Sequence, residues 1–342
     1  MGVNLSGLVQ PQVVDLSYLR GRTVAIDAYN MIYQFLSTIR QPDGSPLCDR
    51  EGRVTSHLSG ILYRTSNFIE QGIEPVFVFD GKPDALKTAT LDERRDRREQ
   101  AVIEWEEAKE AGDMERAFSK AQQTSRMTAE IRASSEALLD AMGLPRVDAP
   151  ADGEAQAAYM CMKGSVYAAA SQDFDSLLFG TPLLVRNMTI TGRRKMPGKN
   201  VYRDVTPELI SSEEFLGSLG ISKEQLVDMC ILIGTDFNPG IRGIGPKKGL
   251  KYIKEFGDLE HVLPHIGKEI PDYEEIRAIF LDGPHSDDYS TEAAEPDREA
   301  VIELMTAYDF SPERVTGTLE RIETARKKER EGRKQRSLDN WF

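Results

Sequence analysis

Thr23-Val24-Ala25-Ile26-Asp27 is the stretch that decides the fold. An apolar run with no polar alternation reads as a strand buried on both faces, the habit of parallel sheets. Here the run ends in a carboxylate. The pattern returns at Pro75-Val76-Phe77-Val78-Phe79, which ends at Asp80. It returns again at Val166-Tyr167-Ala168-Ala169-Ala170, closely followed by Asp173 and Asp175, and Leu183-Leu184-Val185 is a fourth run. Helical patterns lie between them, at Ser56 to Gln71 and Met127 to Met142. This alternation predicts an α/β fold, a mostly parallel central sheet wrapped by helices. Ligands of such sheets bind at the carboxyl ends of strands, and three of the runs bring acid to that edge.

Outward from these strands the composition changes. Residues 82–130 are dominated by Lys, Arg, Glu, Asp and Gln, with few large apolar residues. They read as a solvent-projecting, mobile helical insertion. Residues 228–256 read as helix, Gly-rich turn, helix. Residues 282–297, rich in Asp, Ser, Glu and Pro, read as a flexible loop. Residues 323–337 are highly charged, and Leu338-Asp339-Asn340-Trp341-Phe342 follows with exposed apolar groups.

The chain has 342 residues, 40% of them hydrophobic, enough for one large core or a core with a smaller subdomain. Its formal net charge is -13, which as a sum argues against binding nucleic acid. Distribution argues otherwise. Basic residues cluster at Arg94-Arg95-Asp96-Arg97-Arg98, at Arg193-Arg194-Lys195 and at Lys247-Lys248 with Lys251 and Lys254. The dispersed acidic excess fits a salty cytoplasm, where activity would peak at raised potassium. Three separated cysteines offer neither a disulfide framework nor zinc spacing and fit a reducing compartment. No signal peptide and no membrane span is expected. A cytoplasmic, nucleoid-associated monomer is the expectation.

Seven acids stand out: Asp27, Asp80, Asp152, Glu154, Asp173, Asp175 and Asp236. Asp27 and Asp80 end strands, and Asp152-Gly153-Glu154 opens a helix. Hard divalent cations take oxygen ligands, and Mg²⁺ keeps several waters beside a few carboxylates. Two such cations roughly 4 Å apart activate water and steady the leaving oxygen of a phosphodiester. Gathering acids at one edge is costly unless cations neutralise them. Among 56 Asp and Glu, any one of these is as readily an ordinary surface acid; recurrence at strand ends is what favours a site.

Ile26-Asp27-Ala28, Phe79-Asp80-Gly81-Lys82-Pro83, Gly153-Glu154-Ala155-Gln156-Ala157-Ala158, Ser171-Gln172-Asp173-Phe174-Asp175-Ser176-Leu177-Leu178 and Ile241-Arg242-Gly243-Ile244-Gly245-Pro246-Lys247 resemble the motifs of flap endonucleases, the XPG-type 5′ nucleases. Order and spacing agree over nearly the whole chain. The resemblance implies a PIN-like (resolvase-like) nuclease core, a helical arch and two-metal hydrolysis with Mg²⁺, for which Mn²⁺ substitutes. It implies DNA substrates with 5′ flaps or junctions, with 5′–3′ exonuclease action as well. The chain then divides into an N-terminal nuclease region (1–100), the arch (82–130), an internal nuclease region (130–255) with a helix-hairpin-helix (228–256), a C-terminal helical region (256–325) and a flexible tail (326–342). By position all seven acids fall on metal-site positions. Where Asp152 stands the family usually has Glu. The shorter Asp152 suits a water-bridged role better than direct contact. Two rivals remain open: a haloacid-dehalogenase-like phosphatase with Asp173 as nucleophile, and a clamp-bound DNA scaffold that does not cut.

Lys87 and Arg94 are seven residues apart, about two helical turns, so both can face one side. On the residues alone they are equally a solvated helix face. The resemblance makes them the cations that stabilise charge on the scissile phosphate. Tyr33, six residues after Asp27, is a core tyrosine by spacing and a base-stacking platform by resemblance. Gly2 is implied to pack near the site. Gly243 and Gly245 precede a helix opened by Lys247 and Lys248; glycines permit the turn and free amides meet phosphate. A dinucleotide fingerprint would need a strand upstream, whereas Asp228 to Gly234 reads as helix. The hairpin therefore resembles one that grips duplex backbone, with K⁺ held at its turn. Gln335, Leu338, Trp341 and Phe342 fit a box that binds a sliding clamp (PCNA), closing on a short 3₁₀ turn. Ending at this box, the chain resembles archaeal members.

Overall fold

The computed structural model describes residues 2–189, 192–195 and 202–339. Its strands are β1 (Gln12–Val13), β2 (Thr23–Asp27), β3 (Glu74–Phe79), β4 (Arg146–Asp148), β5 (Ala168–Ala170), β6 (Leu183–Arg186), β7 (Gly192–Lys195), β8 (Tyr202–Val205) and β9 (Glu208–Ser211). Seven form one sheet in the order β1-β9-β6-β5-β2-β3-β4, and β7 and β8 pair separately. Strands β6, β5, β2, β3 and β4 run parallel; β9 is antiparallel to β6 and β1 to β9. The expected architecture is present.

The helices are α1 (Ala28–Thr38), α2 (Ser56–Glu70), α3 (Thr88–Glu110), α4 (Met114–Ala121), α5 (Ala129–Ala141), α6 (Gly153–Met162), α7 (Asp175–Leu178), α8 (Ser212–Leu219), α9 (Lys223–Ile233), α10 (Pro246–Phe256), α11 (Leu259–Ile266), α12 (Tyr273–Leu281), α13 (Arg298–Ala307) and α14 (Pro312–Asp339). Alternation along the strands sorts them into layers. Val24, Ile26, Phe77 and Phe79 face a core shared with α1, α2, α5, α13 and α14. Ala25, Val76 and Val78 face the other way, onto Ala157, Met160 and Cys161 of α6. Toward β6 and β9, a further core joins α6 and α7 to α8 through α12. Because the parallel strands share one direction, the acids after β5, β2 and β3 emerge side by side.

Three expectations are corrected. Residues 82–130 do not project freely. Helices α3 and α4 pack on each other, burying Ala101, Ala108, Ala117 and Ala121. Trp105 Nε1 donates to the Asp43 carbonyl (3.4 Å), and Lys109 pairs with Asp43 (3.7 Å). A side chain at Gly44 would sit 2.7 Å from Ala121 Cβ, so only glycine admits this approach. Alanine makes this seam, which is why a search for large apolar residues misses it. Residues 282–297 carry neither helix nor strand but are held: Ala294 N donates to Gly143 O (2.9 Å), and Tyr289 and Ser165 hydroxyls meet at 2.8 Å. Helix α14 runs on to Asp339 in place of a separate flexible segment. Trp341 and Phe342 lie outside the described residues, as do the side chains of Gln335 and Leu338.

Candidate active site

Strand β2 ends at Asp27, whose carboxylate caps α1 by accepting from Asn30 N at 2.9 Å. Its neighbour β3 leads into Asp80, which accepts from Gly153 N at the start of α6 (2.7 Å). A side chain at Gly153 would come within 2.9 Å of that carboxylate, so the glycine lets α6 begin against it. Helix α6 then presents Glu154, whose Oε1 accepts from Ser171 (3.0 Å) and Ser176 (3.2 Å). On the far side of β2, the turn after β5 carries Asp173, which accepts from Asn30 Nδ2 (3.2 Å). Asp175 opens α7 and accepts from Val3 N at 2.7 Å. Gly2 lies directly on Asp175, where a Cβ would be 2.6 Å from the carboxylate.

Helix α3 and the turn before it supply the cations. Lys87 Nζ pairs with Asp152 and lies 4.9 Å from the centre of the Phe237 ring. Arg94 Nη2 reaches both oxygens of Asp236, at 2.6 and 2.5 Å. Asp152 is thus turned to a lysine.

Electrostatics divides the acids. Burial, with Asp80 and Asp173 beside it, pushes Asp27 up to about 8. Burial, Asp236 and Asp173 push Asp175 up to about 7. Glu154 is driven well above the usual carboxylate range by burial, Asp175 and Asp27, and Asp80 is raised by burial despite its bond from Gly153. Asp236 is lowered: its burial is outweighed by Arg94. Lys87 is raised because Asp152 overcomes its own burial. Among the described residues no three acids close on one point as a finished ligand cage would. The donor set still fits a divalent cation. It consists of hard oxygen atoms whose ionisation is opposed by burial and by one another, an opposition that a cation removes.

Sequence reasoning passed over three positioning residues. Ser171 Oγ accepts from Asp173 N (3.2 Å) and lies 3.4 Å from Asp27 as well as beside Glu154. A serine two residues before an amide it can accept from is a local turn signal that could have found it. Asn30, three residues after a strand-end Asp, was legible as its helical neighbour. Arg132 donates to the Asp80 carbonyl (3.2 Å) and to Tyr29 (3.0 Å) from far along the chain, with no local signal. Tyr33 is half-buried on α1 and accepts from Met127 N (3.4 Å). The hairpin stands apart from the acids. Gly243 (φ 86°) turns the chain, Gly245 leads into Pro246 of α10, and Lys247 and Lys248 are exposed. Helix α9 precedes it, as expected.

A parallel sheet that gathers buried acids at its carboxyl edge beneath Lys87 and Arg94 has the makings of a metal-dependent hydrolase of phosphodiesters. The comparisons agree. Residues 1–101 match the XPG N-terminal domain and residues 143–236 the XPG I-region. Flap endonuclease 1 of Aeropyrum pernix is 51% identical, with 100% of each chain covered. The solved flap endonuclease-1 of Methanococcus jannaschii superposes with TM-score 0.75 at 38% identity, covering 95% of this chain and 98% of that one. The catalytic core of Rad2 in complex with DNA substrate shares the fold at TM-score 0.68 and 23% identity, covering 91% and 96%. The chain belongs to the flap endonuclease family. That membership sets aside the phosphatase and scaffold readings. Among the described residues no helix is long and apolar enough to cross a membrane.

Proposed function

We propose that the protein is a structure-specific 5′ flap endonuclease, with 5′–3′ exonuclease action, serving DNA replication and repair. The observation that carries this reading is the pairing of Lys87 and Arg94 with the edge of a buried acid cluster. Asp27, Asp80, Glu154, Asp173, Asp175 and Asp236 hold two Mg²⁺, with Mn²⁺ able to substitute, and Asp152 acts through water or through Lys87. When bound, these cations make a water nucleophilic and steady the leaving oxygen.

The protein's own groups do the rest. Lys87 and Arg94 turn from their acids to the scissile phosphate, offsetting charge that grows in the transition state. Guanidinium also fixes phosphate orientation, since it donates in a planar fork. Tyr33 stacks on the base beside the scissile bond, and Gly2, seated on Asp175, brings the N-terminus to the DNA-binding side of the site. Hairpin residues Gly243, Gly245, Lys247 and Lys248 hold the duplex backbone, with K⁺ at the turn, while the 5′ strand passes the α3–α4 arch. Residues 335–342 dock on a sliding clamp (PCNA).

Cleavage of a labelled double-flap DNA tests the reading, beside plain duplex and single strand, with Mg²⁺, with EDTA and with Asp175→Ala. Junction-specific incision lost in both controls is expected. Flap cutting by Asp175→Ala at the wild-type rate would refute it.

A further inference from the structure

Beyond the acid cluster, residues 283–289 make a concentrated set of polar contacts with α6. Gln156 lies on α6 two residues past Glu154 and is 0% exposed. Its amide nitrogen donates to Ser286 O (2.9 Å), and its amide oxygen accepts from Ser286 N (2.8 Å). One side chain thus satisfies both backbone groups of a single distant residue. A turn further on, Tyr159 donates to Asp287 (2.7 Å) and stacks on His285 at 3.8 Å. One more turn brings Lys163 to the same Asp287 at 3.5 Å. Positions 156, 159 and 163 form one face of α6. The adjoining face packs on the sheet through Ala157, Met160 and Cys161. Helix α6 is therefore clamped between sheet and strap, with Glu154 in its first turn.

We propose that this strap is a positioning element: through Gln156 it sets the height and rotation of α6, and so the divalent-cation affinity of a site that it never touches. The proposal rests on the reading of Glu154 as a metal ligand. Ligating carboxylates depend on the layer behind them, and loss of that support weakens metal binding about 10–100-fold. Sequence gives the strap no such role. It lies outside both matched family regions and has the composition of a loose loop. Gln156→Met keeps the volume, removes both bonds and leaves Ser286 N–H and C=O without their partner. Asp287→Ala acts at a side chain 72% exposed, and its folding is not at issue.

The test is a Mn²⁺ titration of the full chain without DNA, read by the spin-resonance signal of free Mn²⁺. Wild type, Glu154→Gln, Gln156→Met and Asp287→Ala are compared, and thermal midpoints are recorded. Gln156→Met is expected to weaken binding about 10-fold and Asp287→Ala about 2–3-fold, with junction affinity in EDTA unchanged. A merely structural glutamine would lower the thermal midpoint and leave the isotherm alone. Strap variants that superimpose on wild type while Glu154→Gln binds poorly overturn the strap. Glu154→Gln binding as wild type instead overturns the ligand reading beneath it. Should Gln156→Met not fold, Asp287→Ala decides.

Discussion

The acids of the site form two groups that the fold treats differently. On the rim, Asp152 and Asp236 each hold a cation from the base of the arch. On the floor, Asp27, Glu154 and Asp175 accept from neutral donors: Asn30 N, the hydroxyls of Ser171 and Ser176, and Val3 N. Arg94 lowers Asp236 against its burial, while burial and neighbouring acids raise Asp27 and Asp175 to about 8 and 7 against those bonds. The difference teaches that one sheet edge can both require positive charge and receive it. In the proposed reading the floor is the part that a metal ion neutralises. The rim parks two side-chain cations where a phosphate can take them over.

The floor should break hardest. Asp175→Asn keeps an oxygen for Val3 N and removes only the charge. Cleavage under single-turnover conditions is expected to fall at least about 10³-fold, with junction binding in EDTA intact. A loss under tenfold would erase the distinction between floor and rim. Arg94→Ala on the rim should cost about 10²-fold in kcat with little change in KM, because its contact with phosphate strengthens in the transition state. A change confined to KM would make Arg94 a binding residue and not part of the catalytic rim.

The floor also has a pH signature. Its carboxyls have folded values raised from 3.8 to about 8 and about 7. The folded state then binds more protons than the unfolded one across that window, so the contribution to stability is full below about pH 4 and is lost as pH rises through 7 to 8. Cations relieve this only when the acids are ionised. Mg²⁺ should therefore raise the thermal midpoint more at pH 8 than at pH 5.5, and apparent metal affinity should weaken up to about 100-fold per pH unit of acidification below 7, since two carboxyls must each release a proton. Equal stabilisation at both pH values would contradict the raised floor.

The contrast also separates what was legible from what was not. Asp27 and Asp80 were readable because an apolar run ending in acid is a local pattern that a parallel sheet turns into a shared edge. Glu154 and Asp236 end no strand; they stood out as acids, and the resemblance made them metal-site positions. Ser171 was quoted within a motif yet passed over, because its worth lies in touching acids from three separate elements. The arch seam was hidden by its alanines, which read as weak apolar signal until two helices face each other. The strap was hidden by composition: Asp, Ser and Pro spell a loop, and nothing local says that Gln156 satisfies Ser286 130 residues away. What failed was long-range partnership, and with it strands β1, β4 and β9, whereas the four apolar strands and their parallel sense came through.

The hairpin offers the smallest effect and the sharpest contrast with the rim. Lys247 is exposed on α10, where Lys251 and Lys254 recur at helical spacing on the same side. Cations placed there meet a phosphate whose charge does not change during the reaction, so they contribute equally to ground and transition states. Such uniform binding lowers KM and leaves kcat alone. Lys247→Ala should therefore weaken junction affinity a few-fold and reduce the slope of log affinity against log salt by about one, with kcat at saturating DNA unchanged. The rim variant Arg94→Ala should show the opposite division. A fall in kcat for Lys247→Ala would mean that hairpin and rim are coupled through the DNA, and that duplex grip helps to deliver the phosphate to Lys87 and Arg94.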